Sequence, residues 1–446
     1  MARPTALSGF PEWLPADQIV QQRFIETIRR SYELNGFTPI TTRSVEPRAQ
    51  LAGDADTNKE IYLLRRLGGD DDADPERQLG LHFDLTVPFA RYVVENAGKL
   101  TFPFRRYQIQ PAWRGERPQE GRFREFIQAD VDVVGDSELP FHFDVEMPLV
   151  VGEALSALPI PPVRIHANNR KLAEGFYRGL GLTDVPSVLR EVDKLDKIGP
   201  DGVLRTLVEN AGATESQAKA CLRLAEISSD DLSFIDRVKA LGVTDDLLDA
   251  GLDELAQVVA GAREHTPGLV RADLRIARGL DYYTGSVYET VVLGHEDLGS
   301  IGGGGRYDNL ASAGERRYPG VGMSVGVTRL LSRVFSARLV EASRAVPTAV
   351  LIALLDEAAR STANQLARAF RQRGVSTEVA ASAAKFGKQI RYADRRGIPY
   401  VWFPGKDGEP HQVKDIRSGT QVDADPDTWT PPAADSDPQI RTTADH

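Results

Sequence analysis

The stretch from Phe104 to Val134 reads FRRYQIQPAWRGERPQEGRFREFIQADVDVV, and it decides the fold of the chain. Two segments of alternating apolar and polar residues, 104–114 and 122–134, flank a polar stretch at 115–121 that is bounded by glycines. This pattern predicts a long antiparallel hairpin, because successive side chains of a strand point to opposite faces of the sheet. We therefore expect an antiparallel sheet at the centre of this part of the chain.

One face of the predicted hairpin is polar. In the second strand this face carries Arg124, Phe126, Gln128, Asp130 and Asp132, and in the first strand it carries Arg106, Gln108, Gln110 and Arg114. Such a face is either exposed to solvent or the floor of a polar pocket, and the alternation alone leaves both open.

Two details favour the pocket. Phe126 lies among the polar residues, where a flat aromatic ring is suited to stack on a ligand. Six arginines fall between Arg105 and Arg124. Because the guanidinium group offers planar pairs of donors, this density of arginine is typical of a phosphate-binding site.

The composition excludes several classes of protein. The chain has 446 residues and a formal net charge of −10, so it does not coat nucleic acid indiscriminately, and RNA binding requires a local basic surface. The single cysteine, Cys221, excludes an internal disulfide and a cysteine-based zinc site. No run approaches the ~18 apolar residues of a membrane span. Met1 to Asp17 lacks the pattern of a secretory signal, so we expect none and place the protein in the cytoplasm.

The pattern of strands and helices changes along the chain and predicts several domains. Strand signals dominate 79–135, and helix-like segments dominate 169–267. Strand signals return at 273–278 and 286–293, and 348–403 alternates as βαβαβ. The C-terminal segment is rich in Asp, Pro and Thr, which favours disorder. The predicted boundaries are a discontinuous core at 1–168 and 268–338, a helical insertion at 169–267, a linker at 339–346, an α/β domain at 347–420 and a disordered tail at 421–446.

Three ordered motifs resemble class II aminoacyl-tRNA synthetases, and their specific form is similar to the histidyl-tRNA synthetase family. The segment from Phe104 to Phe126 resembles motif 2. The segment RGLDYYTG, from Arg278 to Gly285, resembles the histidine-specific signature of the family. GVGMSVG at Gly320–Gly326 followed by Arg329 resembles motif 3. The resemblance covers 8–420, but the proline expected before Val45-Glu46 in motif 1 is absent.

The resemblance implies a fold and an activity. The fold is an α+β catalytic domain with an antiparallel sheet, a helical insertion and a C-terminal α/β domain of the anticodon-binding type. The activity is that of a histidine–tRNA ligase in protein biosynthesis, with L-histidine, ATP and tRNA(His) as substrates. The resemblance also implies a homodimer, with Mg²⁺ bound mainly through the ATP phosphates and no metal cage built by the protein. No membrane or DNA partner is expected.

The motifs assign residues to the nucleotide. Attack of a carboxylate on the α-phosphate of ATP brings two anions together, so fixed cations are expected to dominate catalysis. Motif 2 implies that Arg114 holds the α-phosphate, and the signature places Arg278 across that phosphate as the second catalytic cation. The other implied ATP contacts are Arg329 near the γ-phosphate, Phe126 stacked on adenine, and Glu116 and Arg122 fixing the nucleotide.

The same resemblance assigns a polar pocket to histidine. Asp132 is expected to accept the imidazole N–H, since a neutral imidazole offers one donor and one acceptor. Tyr282 and Tyr283 supply a hydroxyl and aromatic walls, although core packing is the alternative for one of them. Arg278, Gln128 and the pair Asp84 and Thr86 complete the set, and a strand would place that pair on one face. Some members of the family carry Glu at positions 84 and 132, so the reach here is one methylene shorter.

Candidate contacts to tRNA lie in two places. Arg117 and Gln119, in the loop of motif 2, are the candidates for the acceptor end. Lys385, Lys388 and Arg391 form a local basic patch in the C-terminal domain, for which a solvated helix face is the alternative interpretation.

Two other functions of the chain compete with this one, and one short segment has an alternative interpretation of its own. The chain could be a regulatory, non-enzymatic relative of the synthetases, but such relatives are expected to lack the signature and the terminal domain. It could also be a class II synthetase for another amino acid, against which the segment from Arg278 to Gly285 argues. The glycines at 302–305 are not followed by Gly-Lys-Ser/Thr, so they do not indicate a phosphate loop and are expected to allow close backbone approach at the histidine pocket instead.

Overall fold

The computed structural model describes residues 5–51, 60–68, 78–276, 282–406 and 408–442. Contacts divide the chain into a larger unit, Met1–Pro11 with Phe24–Arg333, and a smaller unit, Glu12–Arg23 with Val334–His446. Among the described residues, no helix combines the length and the apolar character needed to cross a membrane.

The strands, in chain order, are β1 Thr38–Pro39, β2 Val45–Pro47, β3 Leu63–Leu64, β4 Leu79–Leu81, β5 Phe104–Trp113, β6 Glu125–Val134, β7 Val163–Asn169, β8 Ser228–Ser229, β9 Val270–Asp273, β10 Ser286–Val292, β11 Gly302–Tyr307, β12 Ser312–Ala313, β13 Arg316–Arg317, β14 Gly320–Gly326, β15 Val340–Ala342, β16 Val350–Ile352, β17 Thr377–Val379, β18 Tyr400–Phe403, β19 Gln412–Asp415, β20 Gln421–Asp423 and β21 Ile440–Thr442. The helices are α1 Pro15–Leu34, α2 Arg48–Leu51, α3 Thr86–Asn96, α4 His142–Ser156, α5 Arg170–Gly179, α6 Val185–Val192, α7 Leu195–Asn210, α8 Glu215–Ala225, α9 Phe234–Lys239, α10 Asp246–His265, α11 Val327–Ser336, α12 Arg360–Gln372, α13 Phe386–Arg396 and α14 Ala433–Ser436.

A mixed sheet forms the centre of the larger unit. Within the described residues its strand order is β1-β5-β6-β14-β11-β10-β7-β9-β8. Every pairing from β5 to β7 along this order is antiparallel, whereas β1 pairs with β5 and β9 pairs with β7 in parallel. The predicted fold class, α+β with an antiparallel central sheet, is confirmed.

The predicted hairpin is formed by β5 and β6, and its polar face is buried. The register places three polar pairs directly opposite each other, namely Arg106 with Asp132, Gln108 with Asp130, and Gln110 with Gln128. All of these side chains are 9 % exposed or less. Because opposite residues share a face of the sheet, the six side chains make a continuous polar floor rather than a solvated surface.

Glycines allow the strands beside this floor to approach closely. A Cβ on Gly304 would lie 2.0 Å from the carbonyl oxygen of Gly322, and a Cβ on Gly322 would lie 2.0 Å from Asp132 Oδ1. The glycine run therefore belongs to strand β11, and any larger residue at these two positions would push the strands or the floor apart.

Helices follow β7 directly and continue to His265, in the region of the predicted insertion. Helices α5 and α10 cross in contact at two glycines, since a Cβ on Gly175 or Gly251 would lie 2.2 or 2.1 Å from a backbone nitrogen of the other helix. Helix α10 also packs on β7, which ties the helical region to the central sheet.

The predicted strand at 273–278 is wrong for 274–276, and 277–278 lie outside the described residues. Strand β9 ends at Asp273, and the Asp273 carboxylate accepts a hydrogen bond from the backbone N–H of Arg275 at 3.2 Å. This side-chain turn ends the strand at Asp273, where apolar alternation suggested that it begins.

The smaller unit contains a sheet of order β17-β16-β18-β19-β20, with helices α12 and α13 between its parallel strands. Trp402 is fully buried at its centre, and its ring centroid lies 4.9 Å from that of Phe370. The predicted βαβαβ order therefore agrees with the structure.

The prediction of a disordered tail is wrong for 421–442. Strand β20 pairs with β19, and β21 pairs with β15, which lies inside the predicted linker. The Trp429 ring lies 5.6 Å from that of Trp402, and Arg417 Nη1 lies 2.7 Å from Asp435 Oδ1. The polar composition gave no indication that Trp429 packs against the core or that the backbone of this segment pairs with neighbouring strands.

Candidate active site

A small cavity of about 50 Å³ lies against the polar floor. Its walls come from β6, β11, β14, the start of α3 and the segment before β10. Six predicted histidine-binding residues line it, namely Asp84, Thr86, Gln128, Asp132, Tyr282 and Tyr283. Residues spread over some 200 positions of the sequence are thus brought to one place.

A larger cavity of about 570 Å³ adjoins the small one. It is lined by all five predicted ATP-binding residues, Arg114, Glu116, Arg122, Phe126 and Arg329. Arg114, Gln128, Gly303 and Ser324 line both cavities, so the two spaces meet at these residues.

Arg114 stands at the junction of the two cavities. It follows the last residue of β5, and its Nε donates a hydrogen bond to the carbonyl oxygen of Phe83 at 3.0 Å. The centre of its guanidinium group lies 5.1 Å from the centroid of the Phe126 ring. Its terminal nitrogens have no hydrogen-bond partner among the described residues, so they are free for an anion at the junction.

Two further guanidinium groups line the larger cavity, and their positive charges are not fully neutralised by the neighbouring groups that the structure describes. Arg122 Nη1 lies 3.4 Å from Glu116 Oε2. Arg329 donates from Nη2 to the carbonyl oxygen of Leu298, while its buried Nε has no partner within the described part of the chain. Burial and the nearby charge of Arg122 lower the pKa of Arg329, as expected where cations gather around a site for an anion.

Asp84 and Thr86 line the small cavity from the start of a helix, and the expected strand at these residues is wrong. Thr86 is the first residue of α3, and Asp84 Oδ1 accepts a hydrogen bond from the backbone N–H of Val87 at 3.1 Å. Pro88 in the first turn favours this helical start. Burial raises the pKa of the Asp84 carboxyl.

Asp132 is held by two partners that the sequence analysis did not assign to the site. Tyr307 donates its hydroxyl hydrogen to Asp132 Oδ1 at 2.6 Å. Arg106 Nη2 lies 2.8 Å from Asp132 Oδ2, and the Arg106 guanidinium centre lies 4.0 Å from the Phe89 ring centroid. Burial raises the pKa of Asp132, and Arg106 opposes this shift. The strand alternation was the signal for Arg106, since it faces Asp132 across the hairpin.

Tyr282 and Tyr283 both border the small cavity. Their ring centroids lie 4.7 Å apart. Burial raises the pKa of Tyr282 well above its usual value, so its hydroxyl stays protonated. Tyr283 also packs against the backbone of β11, because a Cβ on Gly305 would lie 2.7 Å from its ring.

Buried polar atoms without partners are concentrated in the small cavity. Among the described residues, three carboxyl or amide oxygens there accept no hydrogen bond: Asp84 Oδ2, Gln128 Oε1 and Asp130 Oδ1. A fourth oxygen, Asp132 Oδ2, has only its ion pair with Arg106. A buried polar group without a partner costs about 1–3 kcal/mol. Such acceptors around one space indicate a site for a ligand that carries several N–H groups.

The larger cavity also contains side chains that the sequence analysis gave no part in the site. His166 Nδ1 lies 2.8 Å from Asp273 Oδ2, and both residues line this cavity together with Lys197 from the helical region. No group of three or more His, Cys, Asp or Glu side chains in the described ranges is arranged to hold a metal ion.

Several predicted site residues lie elsewhere. Arg278 lies outside the described residues. Arg117 and Gln119 are in the loop between β5 and β6 and line neither cavity. Lys385, Lys388 and Arg391 lie at or on α13 in the smaller unit.

Comparison with known families identifies this arrangement. A family model described as histidyl-tRNA synthetase matches residues 9–330, which is more than half of the chain. The chain belongs to the histidyl-tRNA synthetase family. A second model, described as an anticodon binding domain, matches residues 349–427. The terminal domain expected to be missing from a regulatory relative is therefore present.

Individual relatives support the assignment to the histidyl-tRNA synthetase family. The histidine–tRNA ligase of Micrococcus luteus is 58 % identical to this chain and is aligned over 99 % of both proteins. The crystal structure of histidyl-tRNA synthetase from Nostoc sp. PCC 7120 has a TM-score of 0.82 and 35 % identity, covering 95 % of this chain and 97 % of that one. A Bacillus halodurans structure described as an ATP phosphoribosyltransferase regulatory subunit/histidyl-tRNA synthetase shares the fold, with a TM-score of 0.68, 19 % identity and coverage of 87 % and 94 %.

Proposed function

We propose that this chain charges tRNA(His) with L-histidine in two steps, both carried out at the two adjoining cavities. Membership of the histidyl-tRNA synthetase family carries the ligase activity, and the assignment of steps to residues is our proposal. In the first step the histidine carboxylate attacks the α-phosphate of ATP and releases pyrophosphate. In the second step a terminal ribose hydroxyl of the tRNA takes the histidyl group and releases AMP.

The larger cavity is proposed to hold ATP. Phe126 offers an aromatic face for adenine, and Arg122 with Glu116 fixes the nucleotide beside it. Arg329 meets the γ-phosphate end. Arg114 reaches the α-phosphate, since it alone among these residues also lines the small cavity. By resemblance to the family signature, Arg278 is the second cation at that phosphate.

The small cavity is proposed to hold histidine. Asp84, Thr86 and Gln128 bind its ammonium and carboxylate ends, and Asp132 with Tyr282 and Tyr283 binds the imidazole. This orientation places the substrate carboxylate towards Arg114, where the two cavities meet. Holding both reactants in line at the junction supplies much of the rate enhancement expected for phosphoryl transfer.

Mg²⁺ is proposed to bind mainly through the ATP phosphates. The larger cavity offers carboxylates that suit this hard cation, among them Glu289 and Glu296. A bound Mg²⁺ would neutralise phosphate charge, while the arginines position the nucleotide.

The remaining parts of the chain are proposed to serve tRNA and assembly. Arg117 and Gln119 contact the acceptor end, and the patch of Lys385, Lys388 and Arg391 contacts the phosphate backbone. We further propose a cytoplasmic homodimer, with the helical region at 169–267 acting as an insertion and 347–420 as the anticodon-binding domain.

One observation carries the proposal: Arg114 lies between a cavity rich in buried carboxyl groups and a cavity lined by arginines. The test is ATP–pyrophosphate exchange with each of the twenty amino acids offered separately. We expect exchange with histidine alone. Exchange with a different amino acid would overturn the assignment of the small cavity, and the absence of all exchange would favour a regulatory protein.

A further inference from the structure

We propose that Asp130, to which neither the motifs nor the resemblance assigns a role, is a second carboxyl group that binds the imidazole ring of histidine. In this proposal Asp130 and Asp132 bind the ring together as a pair that holds one proton. The inference rests on the proposed function, in which the small cavity takes histidine.

Among the described residues, the polar floor supplies too little positive charge for both carboxyl groups. Asp130 and Asp132 are two residues apart on β6, so their side chains share a face. A single nitrogen, Arg106 Nη2, lies 2.8 Å from Asp132 Oδ2 and 4.0 Å from Asp130 Oδ2. Because one guanidinium group of the described floor serves two carboxylates, the fully ionised pair together with Arg106 would carry a net buried charge of about −1.

Asp132 is closely held, whereas one oxygen of Asp130 is left without a partner. Tyr307 donates to Asp132 Oδ1 at 2.6 Å. Asp130 Oδ1 is fully buried and accepts no hydrogen bond from any described residue, and Asp130 lines the small cavity. Of these two aspartates, Asp130 is therefore the one with an oxygen left to pair with a ligand.

The surroundings of Asp130 keep its carboxyl group protonated as the pH rises towards neutrality. Burial is the largest cause and raises the pKa of Asp130 to about 7, while Arg106 and a hydrogen bond with Ser324 oppose the shift. The other titratable groups that face it are Asp132 on the same strand, Asp84 before α3, Tyr32 on α1 and Tyr307 on β11. Two like charges this close do not both ionise readily, so one proton is retained by the pair near neutral pH.

A carboxyl pair with one proton matches an imidazole in either charge state. The neutral ring needs one acceptor and one donor. In this proposal these are the Asp132 carboxylate and the protonated Asp130 carboxyl, and Tyr282 and Tyr283 serve as the aromatic walls of the pocket. The protonated ring offers two N–H donors, which two carboxylates accept. A ring with a single nitrogen leaves one carboxyl group buried without a partner, so the pair discriminates against it.

This arrangement fixes the pH dependence of histidine use. In the complex, the ring and the two carboxyl groups together carry one proton in addition to the N–H of the neutral ring. Free histidine already carries that proton below its ring pKa of about 6.5, and the free enzyme carries one below about 7, so binding releases a proton in acid. Above pH 7 both partners have lost it, and binding must take up a proton. The kcat/KM for histidine should therefore have a narrow maximum between these values and fall by up to about tenfold per pH unit on each side.

The first test uses the unmodified chain and two substrates in ATP–pyrophosphate exchange at saturating ATP between pH 5.5 and 8.5, a window of about three units around the two pKa values. The second substrate is 1,2,4-triazolylalanine, whose ring is far less basic than imidazole. We expect the acid limb to move to lower pH with the analogue, because that limb belongs to the substrate. The alkaline limb should remain near pH 7, because it belongs to Asp130.

The second test uses variants of Asp130. Asp130→Asn keeps a donor for the ring but holds no titratable proton, so it should lose the alkaline limb and lower kcat/KM near neutral pH by about tenfold. Asp130→Ala should lower it further. The matched control is Asp136→Asn, which alters a carboxylate paired with Arg316 beyond the end of the same strand and should leave both limbs unchanged.

An alkaline limb that persists in Asp130→Asn, or a wild-type kcat/KM in both variants, would overturn the role of Asp130. If the variants do not fold, as judged by thermal unfolding, an unmodified chain without an alkaline limb near pH 7 overturns it equally. These outcomes are separate from failure of the proposed function, which would appear as an unmodified chain without histidine-dependent exchange.

Discussion

The two cavities meet at Arg114 but are built in opposite ways. The small cavity is lined by carboxyl groups that are almost completely buried, with Asp84, Asp130 and Asp132 at most 4 % exposed. Around Phe126 the larger cavity instead presents long guanidinium side chains, and that of Arg122 is 42 % exposed. In the proposed function, histidine would thus be bound by short side chains fixed on strands and a helix start, and ATP by long ones that reach from the sheet edge and from α11.

This difference has an energetic consequence. Each unsatisfied acceptor in the small cavity costs about 1–3 kcal/mol until a ligand pairs with it, so binding there relieves a cost already present in the fold. The more exposed arginines of the larger cavity are solvated and screened, and in the proposed reaction they would gain most when negative charge develops on phosphorus. Changes in the small cavity should therefore act on the KM for histidine, and changes in the larger cavity on ATP binding and kcat.

The largest effect is expected at the junction. Arg114→Ala should lower the kcat of histidine-dependent ATP–pyrophosphate exchange by about 10²–10³-fold, because it removes a fixed donor to the reacting phosphate. Arg190→Ala, which removes an exposed arginine from α6, is the matched control and should leave exchange unchanged. If kcat falls by less than about fivefold in Arg114→Ala, Arg114 does not contact the α-phosphate, since even one charge-assisted hydrogen bond contributes more.

A smaller and more selective effect is expected inside the small cavity. Asp132→Asn should raise the KM for histidine by about 10–100-fold and leave the KM for ATP unchanged, because the amide still accepts from Tyr307 but cannot bind the ring as a charge. Tyr307→Phe should raise the same KM by less, since it removes only the hydrogen bond that orients Asp132. An equal rise in the KM for ATP would show that the two cavities do not act separately.

The polar floor could be predicted from sequence because its signal is local. Alternation with a period of two places Arg106, Gln108, Asp130 and Asp132 on one face, whatever the rest of the fold does. What the alternation could not supply is the charge balance. The single Arg106 between two aspartates, and Tyr307 from a strand 175 positions away, become visible only once the strands are paired in register.

Where the sequence predictions were wrong, a local hydrogen bond or a long-range contact outweighed the pattern of polar and apolar residues. Asp84 and Thr86 were expected on a strand, yet the hydrogen bond from Val87 to Asp84 starts a helix. The C-terminal segment looked disordered because polar residues outnumber apolar ones, but Trp429 fills space beside Trp402 in the core. One partly buried aromatic ring outweighs a polar composition, since its burial contributes more than many solvated side chains.

An intermediate effect is expected at the aromatic wall of the larger cavity. Phe126→Ala should raise the KM for ATP by about tenfold, within the range expected for stacking of a base on an aromatic side chain, and should change the KM for histidine little. Phe126→Tyr keeps the ring and is the matched control, with near-unchanged values expected. If Phe126→Ala raises the KM for histidine instead of the KM for ATP, the assignment of the two cavities must be reversed.

The smallest effect is expected far along the chain from both cavities, on α13. Lys388 and Arg391 are exposed on this helix, while its buried residue Gln389 is held by the backbone of Leu354 through hydrogen bonds at 2.7 and 2.9 Å. Changing both cations to Gln should therefore leave the fold and ATP–pyrophosphate exchange intact. The KM for tRNA should rise a few-fold, and the slope of log affinity against log salt should become shallower by about 0.7–0.9 for each phosphate that the variant no longer neutralises. Arg368→Gln on α12, a cation of the same unit, is the control and should not alter the slope. An unchanged slope in the double variant would mean that this patch is a solvated helix face, and a change in exchange would mean that the chemistry of the two cavities depends on the smaller unit.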